Sequence, residues 1–260
     1  MSNEKAVKIC VVGGAGRMGR RVLEVCRAST DLEAVSVLVR PEDKADALES
    51  LRVETDPMQA FKGADVVIDF SAPPSVEHTL PAAVELGLGY VVASTGFSLE
   101  AETALSNASS KIPLIVASNC SLGVNVLSAL VETAARALSG FDIEIFEIHH
   151  NQKRDAPSGT ALTLAEAVTN ARPLEQTFTR SGNDALRQTD SLGVVAARGG
   201  DVAGEHTVFY FGEGERLELT HRATSPMIFA KGAVKAAQWL DGKEAGLYSM
   251  RNVLGLKDEQ

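Results

Sequence analysis

AVKICVVGGAGRMGR, residues 6–20, sets an apolar run of strand length directly before a glycine-dense turn and the start of a helical pattern. Its glycines satisfy two overlapping spacings, G-x-G-x-x-G from Gly14 and G-x-x-G-x-x-G from Gly13 through Gly16 to Gly19. The spacing alone is weak, but a strand before it and a helix after it are the context a dinucleotide-binding turn requires. Glycines there permit a tight turn, close approach of backbone to a pyrophosphate and close helix-to-strand packing, while the helix start offers unpaired N–H groups to an anion. A glycine turn needed only for packing is the competing reading.

Outward from this stretch, LEAVSVLV (32–39), ADVVIDF (64–70), GYVVAS (89–94) and IPLIVAS (112–118) are further β-branched runs of strand length, with helical patterns near 75–86 and 98–110 between them. Near-continuous apolar strands joined by helical crossovers predict a parallel sheet covered on both faces, a doubly wound α/β (Rossmann-type) domain. After a helix at about 123–138 the character changes. FDIEIFEIHH (141–150), a polar loop, a helix from Ser158, and then VVAARGG, EHTVFYFG and RLELTHRA predict an α+β domain with a mixed sheet, the last three runs as antiparallel candidates joined by turns such as GEGE (212–215). The expected division is 1–122 for the dinucleotide domain, 123–229 for a second, substrate-binding domain, and 230–260, opening with FAKGAVKAAQWL (229–240), packing back on the first.

With 260 residues, 45% hydrophobic and 23% charged, the chain has the composition of a globular protein of one large or two modest domains. A net charge of −9 argues against nucleic acid or an anionic membrane as partner, because phosphate binding needs a basic surface. Cys10, Cys26 and Cys120 form no disulfide framework and no metal spacing, which fits a reducing, cytoplasmic setting. MSNEKAVKICVVGG has no basic region leading into an uncharged apolar run, and no segment approaches about 18 uninterrupted apolar residues, so neither export nor a membrane span is expected.

Where an acidic residue commonly meets the adenosine ribose, at the end of the second strand, the chain has Val39-Arg40-Pro41. Arg40 is placed to pair with a 2′-phosphate, which predicts NADPH in preference to NADH unless Glu42 or Asp43 folds back on it; a solvated surface arginine is the alternative. Phe70-Ser71-Ala72, Ala93-Ser94-Thr95-Gly96 and Ser118-Asn119-Cys120 follow other strand ends, on the carboxyl edge where open parallel sheets bind ligands.

The second dense stretch is EIHHNQKRDAPSGTA, residues 147–161. In an extended segment the side chains of His149 and His150 leave opposite faces, so they perform different tasks. A histidine can donate or accept a proton near neutrality, Lys153 and Arg154 bring positive charge, and Asp155 can orient one of them. Ser158 is a suitable N-cap and Gly159 admits a ligand to the backbone, so cation, proton donor and helix N-terminus converge on a carboxylate. A capped helix behind a solvated charged loop fits the same spacing. Adjacent histidines do not easily share one metal, and no metal site is expected. His206 and His221 read as structural or substrate-facing, and His78 as a surface helix residue.

With these residues assembled, the sequence resembles the dihydrodipicolinate reductases (4-hydroxy-tetrahydrodipicolinate reductases) of bacterial lysine and diaminopimelate biosynthesis. The resemblance spans nearly the whole chain: VGGAGRMGR, VVIDFS, STGF, SNCSLGVNV, EIHHNQKRDAPSGTA, RGGDVAGEHTV and the closing MRNVLGL. It implies a Rossmann-type cofactor domain, a substrate domain whose sheet builds a homotetramer, and NAD(P)H-dependent reduction of a cyclic imine dicarboxylate. It implies His149 and Lys153 as catalytic acid candidates, with His150, Gly159 and Thr160 holding a substrate carboxylate; Ser158, the N-cap of the same turn, is read with them as part of the anion clamp. For the cofactor it implies Gly13, Gly14, Ala15, Gly16, Arg17, Met18, Arg40, Ala93, Ser94, Thr95, Ala117, Ser118, Asn119 and Cys120. The chain departs from the family pattern at Val39, where many members carry the ribose-binding acid, in a shorter linker before ADVVIDF, and at Pro226, where an arginine is common. Two other readings stay open: a related reductase of a different cyclic imine, for which Pro226 is the hint, and a dinucleotide sensor without turnover.

Overall fold

The computed structural model describes residues 5–43 and 51–256, so the last four residues of the expected 230–260 segment lie outside the described part. The chain divides into two compact units, one running to Leu122 and resuming at Met227, the other Gly123–Pro226.

The first unit contains β1 (Val7–Val12), α1 (Arg17–Arg27), β2 (Leu32–Leu38), β3 (Arg52–Glu54), α2 (Pro57–Phe61), β4 (Val66–Asp69), α3 (Pro73–Leu86), β5 (Gly89–Val92), α4 (Leu99–Ser109) and β6 (Pro113–Val116). The chain then crosses to the second unit with α5 (Leu122–Ala137), β7 (Asp142–His149), α6 (Gly159–Ala171), β8 (Glu175–Thr177), β9 (Ser191–Arg198), β10 (Gly204–Gly212) and β11 (Glu215–Ala223). It returns with α7 (Met227–Leu240), β12 (Gly246–Tyr248) and α8 (Met250–Val253). Among the described residues no helix is long and apolar enough to cross a membrane.

The first sheet has the order β12-β6-β5-β4-β1-β2-β3, all parallel. Strand order reverses at β1, between β2 and β4, which puts the glycine turn at the topological switch point. Alternation along β1 shows why Ile9–Val12 is apolar throughout: Ile9 and Val11 join one buried cluster with residues of α1 and α7, Cys10 and Val12 another with residues of α2, α3 and α4. A strand buried on both faces has no polar period to display.

The glycine turn is shaped by contact. Gly13 adopts φ +74°, a conformation other residues rarely take, and a Cβ on Gly19 would lie 2.2 Å from the Gly13 carbonyl oxygen. At the first helical turn the N-cap is Gly16, which makes no side-chain capping bond, and no acidic residue follows. The start of α1 therefore keeps its partial positive charge for an anion.

The second sheet has the order β11-β10-β7-β9-β8. The expected antiparallel series of VVAARGG, EHTVFYFG and RLELTHRA is corrected here: β10 and β11 are antiparallel, but β9 pairs parallel with β7, and β7 separates it from β10. The helical crossover α6 returns the chain parallel to β7, after which β10 takes the opposite edge. Residues from α5 and α6, such as Val131 and Leu164, cover one face with Ile143, Ile145 and Val208. The Tyr210 hydroxyl closes that layer by donating to the Val131 carbonyl at 2.7 Å.

Gly232 in α7 is a second enforced glycine, since a Cβ there would stand 1.7 Å from the Cys120 carbonyl oxygen. In an open helix alanine would stabilise by about 1 kcal/mol. Forcing atoms into a filled space costs about 1–3 kcal/mol or more, and backbone is what must move here, so the second effect wins. Gly232→Ala is expected to lower the melting temperature; an unchanged or higher one in a thermal scan contradicts the contact.

Candidate active site

In the first unit the carboxyl ends of β1, β2 and β4 open on a crevice of about 680 Å³ bounded by Gly13, Ala15, Gly16, Arg40, Ser71 and His78. Gly14 lies beneath it, where a Cβ would meet the Val37 side chain at 2.6 Å. Arg17 and Met18 begin α1, and Met18 packs against the core. Ala93, Ser94 and Thr95 follow β5, and Ala117, Ser118, Asn119 and Cys120 follow β6, on the same carboxyl edge but outside this crevice. The Asn119 side-chain oxygen accepts from the Ser121 N–H at 2.8 Å. The Cys120 thiol is buried, which pushes its pKa up to about 12. His78, read from the sequence as a surface helix residue, is exposed on α3 and also lines the crevice wall.

Arg40 donates to Asp43 at 2.7 and 3.1 Å and lies 3.3 Å from Glu42, with 72% of its side chain exposed. The hydrogen bond and charge of Asp43, with Glu42 beside it, raise its pKa. Asp43 and Glu42 thus fold back on Arg40, the arrangement that counts against the expected NADPH preference; ion pairs this open are worth about 0–1 kcal/mol, so a phosphate can still compete for the guanidinium.

A residue unread in the sequence supports this crevice from behind. Asp69, fully buried at the end of β4, accepts from the Ser71 N–H at 2.8 Å, the Ser71 hydroxyl at 2.5 Å and the Tyr90 hydroxyl at 2.5 Å. It fixes the first residues of the loop after β4. Its only sequence signal is a carboxylate inside the apolar run VVIDF.

In the second unit, β7 alternates so that the face burying Ile143 and Ile145 ends in Glu147 and His149, while His150 leaves the strand and is half-buried. Nδ1 of His149 meets Oε2 of Glu147. Glu147 also takes both guanidinium ends of Arg198, at 3.1 and 3.0 Å, and the Ser158 N–H at 2.9 Å. Burial pushes the Glu147 carboxyl up, but Arg198, the Ser158 N–H and His149 outweigh it and hold it below the usual range. Burial lowers the His149 pKa; the Glu147 bond and charge oppose this, and Lys153 and Arg198 reinforce it. Lys153 pairs with Asp155 at 3.0 Å, and burial of Asp155 is outweighed by that bond, which lowers its pKa.

Ser158 caps α6 by accepting from the Ala161 N–H at 3.1 Å, and its hydroxyl is 3.0 Å from Nε2 of His206. It is buried, so it shapes the turn, while Gly159 is exposed and Thr160 half-exposed at the helix start. The His206 ring lies edge-on to His149 with centroids 5.1 Å apart. Burial, then the neighbouring His149, drives its pKa down to about 4. Gly204 faces Nε2 of His149, where a Cβ would come within 3.0 Å. Glu147, His149 and His206 bring ligand-type atoms within 4.8 Å of one another, but the carboxylate is already claimed by Arg198 and the Ser158 N–H, so the group reads as a hydrogen-bonded set. Arg198, Gly204 and the His206 contact come from other strands, and spacing along EIHHNQKRDAPSGTA gives no sign of them.

A parallel sheet with an uncapped, glycine-lined helix start at its switch point, together with a second unit that gathers histidine, lysine and a helix N-terminus, supplies the parts of a two-domain oxidoreductase. The profile of the dihydrodipicolinate reductase N-terminus matches residues 7–120 and that of the C-terminus residues 123–254; the chain belongs to this family. Similar relatives include the 4-hydroxy-tetrahydrodipicolinate reductase of Anaeromyxobacter dehalogenans, 43% identical across 96% of this chain and 98% of that one. That of Aquifex aeolicus is 43% identical across 96% and 100%. The structure of a dipicolinate-bound dihydrodipicolinate reductase from Paenisporosarcina sp. TG-14 shares the fold, with TM-score 0.81 over 94% of this chain and 97% of that one at 22% identity.

A pH dependence of stability follows from the buried histidine. The folded pKa of His206, about 4, is below its ordinary 6.5, so its stabilisation is full above 6.5 and lost as pH falls toward 4. Over that window stability should fall by up to about 1.4 kcal/mol per pH unit. His206→Gln is expected to flatten the fall in denaturant titrations; identical slopes in both proteins contradict this.

Proposed function

We propose that the chain is an NAD(P)H-dependent oxidoreductase that reduces 4-hydroxy-tetrahydrodipicolinate, a cyclic imine dicarboxylate, to tetrahydrodipicolinate in lysine and diaminopimelate biosynthesis. The observation that carries this is identity of 43% to reductases of that name over nearly the whole of both chains. Residues fitted to a dinucleotide are the turn Gly13 to Met18, with the open start of α1 for the pyrophosphate, and the strand-end segments Ala93 to Thr95 and Ala117 to Cys120. The reduced nicotinamide supplies the hydride. The 4-hydroxyl leaves as water, which puts a ring C=C in conjugation with the imine; Lys153 or His149 supplies the proton to the imine nitrogen, so that the hydride adds to the conjugated carbon, and general acid catalysis of this kind is worth about 10²- to 10⁴-fold. His150, Gly159 and Thr160, with Ser158 forming the turn, hold a substrate carboxylate at the positive end of α6.

The chain functions as a homotetramer in the cytoplasm. The face of the second sheet opposite α5 and α6 leaves Phe146 37%, Val195 43% and Phe211 38% exposed, an apolar surface suited to another copy. Three unpaired cysteines fit a reducing compartment. Pro226, directly before α7, favours a second reading, a related reductase of another cyclic imine. A proline suits a helix start in any case.

His149→Gln and Lys153→Ala are each expected to lower turnover by about 10²-fold or more with the fold intact. The assay is NADPH oxidation coupled to the synthase that makes the lysine-pathway intermediate. Wild-type-like rates in both variants would refute the assignment, and no turnover by the wild type would favour the second reading.

Arg40 sets cofactor choice, with NADPH preferred because a dianionic 2′-phosphate displaces Asp43 and Glu42 from the guanidinium. Arg40→Ala should raise the KM for NADPH far more than that for NADH. A clear NADH preference in the wild type sinks the idea.

A further inference from the structure

Glu147 is 0% exposed, yet nothing in the proposed proton transfer or carboxylate binding uses it. Its four hydrogen bonds come from three residues in three places. His149 shares its strand, Ser158 opens α6, and both ends of the Arg198 guanidinium come from the end of β9. Arg198 in turn donates to the Asp155 carbonyl at 2.5 Å, in the loop that carries Lys153. One carboxylate and one guanidinium thus tie together the strand end, the loop and the helix start from which every proposed substrate-side residue projects.

An ionised carboxylate is only an acceptor, so a neutral His149 bonded to Glu147 must carry its proton on Nδ1. This leaves Nε2, on the side of Gly204, as the nitrogen that exchanges a proton with a ligand. We propose that Glu147 is the positioning residue of the site, fixing the tautomer of His149 and the anion-binding turn at Ser158 through a single buried carboxylate. The inference rests on the reading of His149 as a proton donor. The logic is that of a carboxylate behind a catalytic or metal-bound imidazole, where loss of the orienting group costs on the order of 10- to 100-fold or more.

A merely structural ion pair would hold the fold but leave the protonation of His149 alone, so pH separates the two. The groups facing His149 are Glu147 on its own strand, Lys153 on the following loop, Arg198 on β9 and His206 on β10. Of these, Glu147 is the one that favours the imidazolium; Lys153 and Arg198 oppose it. Removing its charge therefore shifts the protonation of His149 to lower pH, and with it the alkaline limb of a rate that needs the protonated ring.

One spectroscopic measurement and three variants test this. Nitrogen-15 NMR of the wild-type protein should show neutral His149 protonated at Nδ1; a dominant Nε2–H form overturns the proposal, and this result needs no variant to fold. Glu147→Gln should lower kcat by on the order of 10- to 100-fold, weaken binding of pyridine-2,6-dicarboxylate and move the alkaline limb of kcat/KM to lower pH. Glu147→Asp, which keeps the charge, should return the limb toward the wild-type position. A Glu147→Gln enzyme with unchanged limb and dicarboxylate affinity overturns the proposal. His149→Gln separates the two levels. Full turnover in that variant removes the proton-donor role itself, whereas an inactive His149→Gln beside an Nε2–H tautomer removes only the positioning by Glu147.

Discussion

A carboxylate cut off from water is tolerable only when its charge is balanced and its oxygens are filled, and Glu147 meets both conditions through Arg198, Ser158 and His149. Removing one partner of such a pair costs about 3–5 kcal/mol, because the other is left buried and uncompensated. The energy of this cluster constrains more than stability. It decides where β7 ends, how the loop from His150 to Pro157 is anchored, and where α6 begins.

The two units apply the same device differently. Asp69 ends β4 and Glu147 lies two residues before the end of β7, each on the face its strand turns to the core, and each accepts from the N–H of a following serine. Asp69 has hydroxyl and N–H donors, which hold the start of the loop after β4. Glu147 has a guanidinium as well, and its cluster adds an imidazole that can exchange protons. In an acidic chain, net charge −9, the start of α1 has no side-chain cap and no acidic residue in its first turn, whereas α6 is capped by Ser158 and the cations Arg40 and Lys153 are paired with acidic neighbours.

Much of this was legible in the sequence, and the limits have physical causes. β1, β2, β4, β5 and β6 announce themselves because parallel strands buried on both faces are dominated by β-branched and other apolar residues. The N-cap at Ser158 and the opposite directions of His149 and His150 follow from local rules of capping and pleat. The three-residue strands β3, β8 and β12 carry no such signal; their residues are half-exposed, and they are strands only because a neighbour offers a free edge. Alternation also cannot name a partner, so the parallel pairing of β9 with β7 escaped it. Glu147 was within reach, two residues before His149 on one strand face. Arg198, His206 and Gly204 were not, since strand register alone brings them to the histidine.

The central claim is that this fold passes a hydride from a nicotinamide cofactor to a cyclic imine dicarboxylate. The most direct measurement is isotopic. Supplied with NADPH deuterated on the transferred position and with the freshly made synthase product, the enzyme should yield tetrahydrodipicolinate carrying deuterium at a ring carbon, in proportion to cofactor oxidised. Reduced product without deuterium, or cofactor bound with none oxidised, would contradict the account.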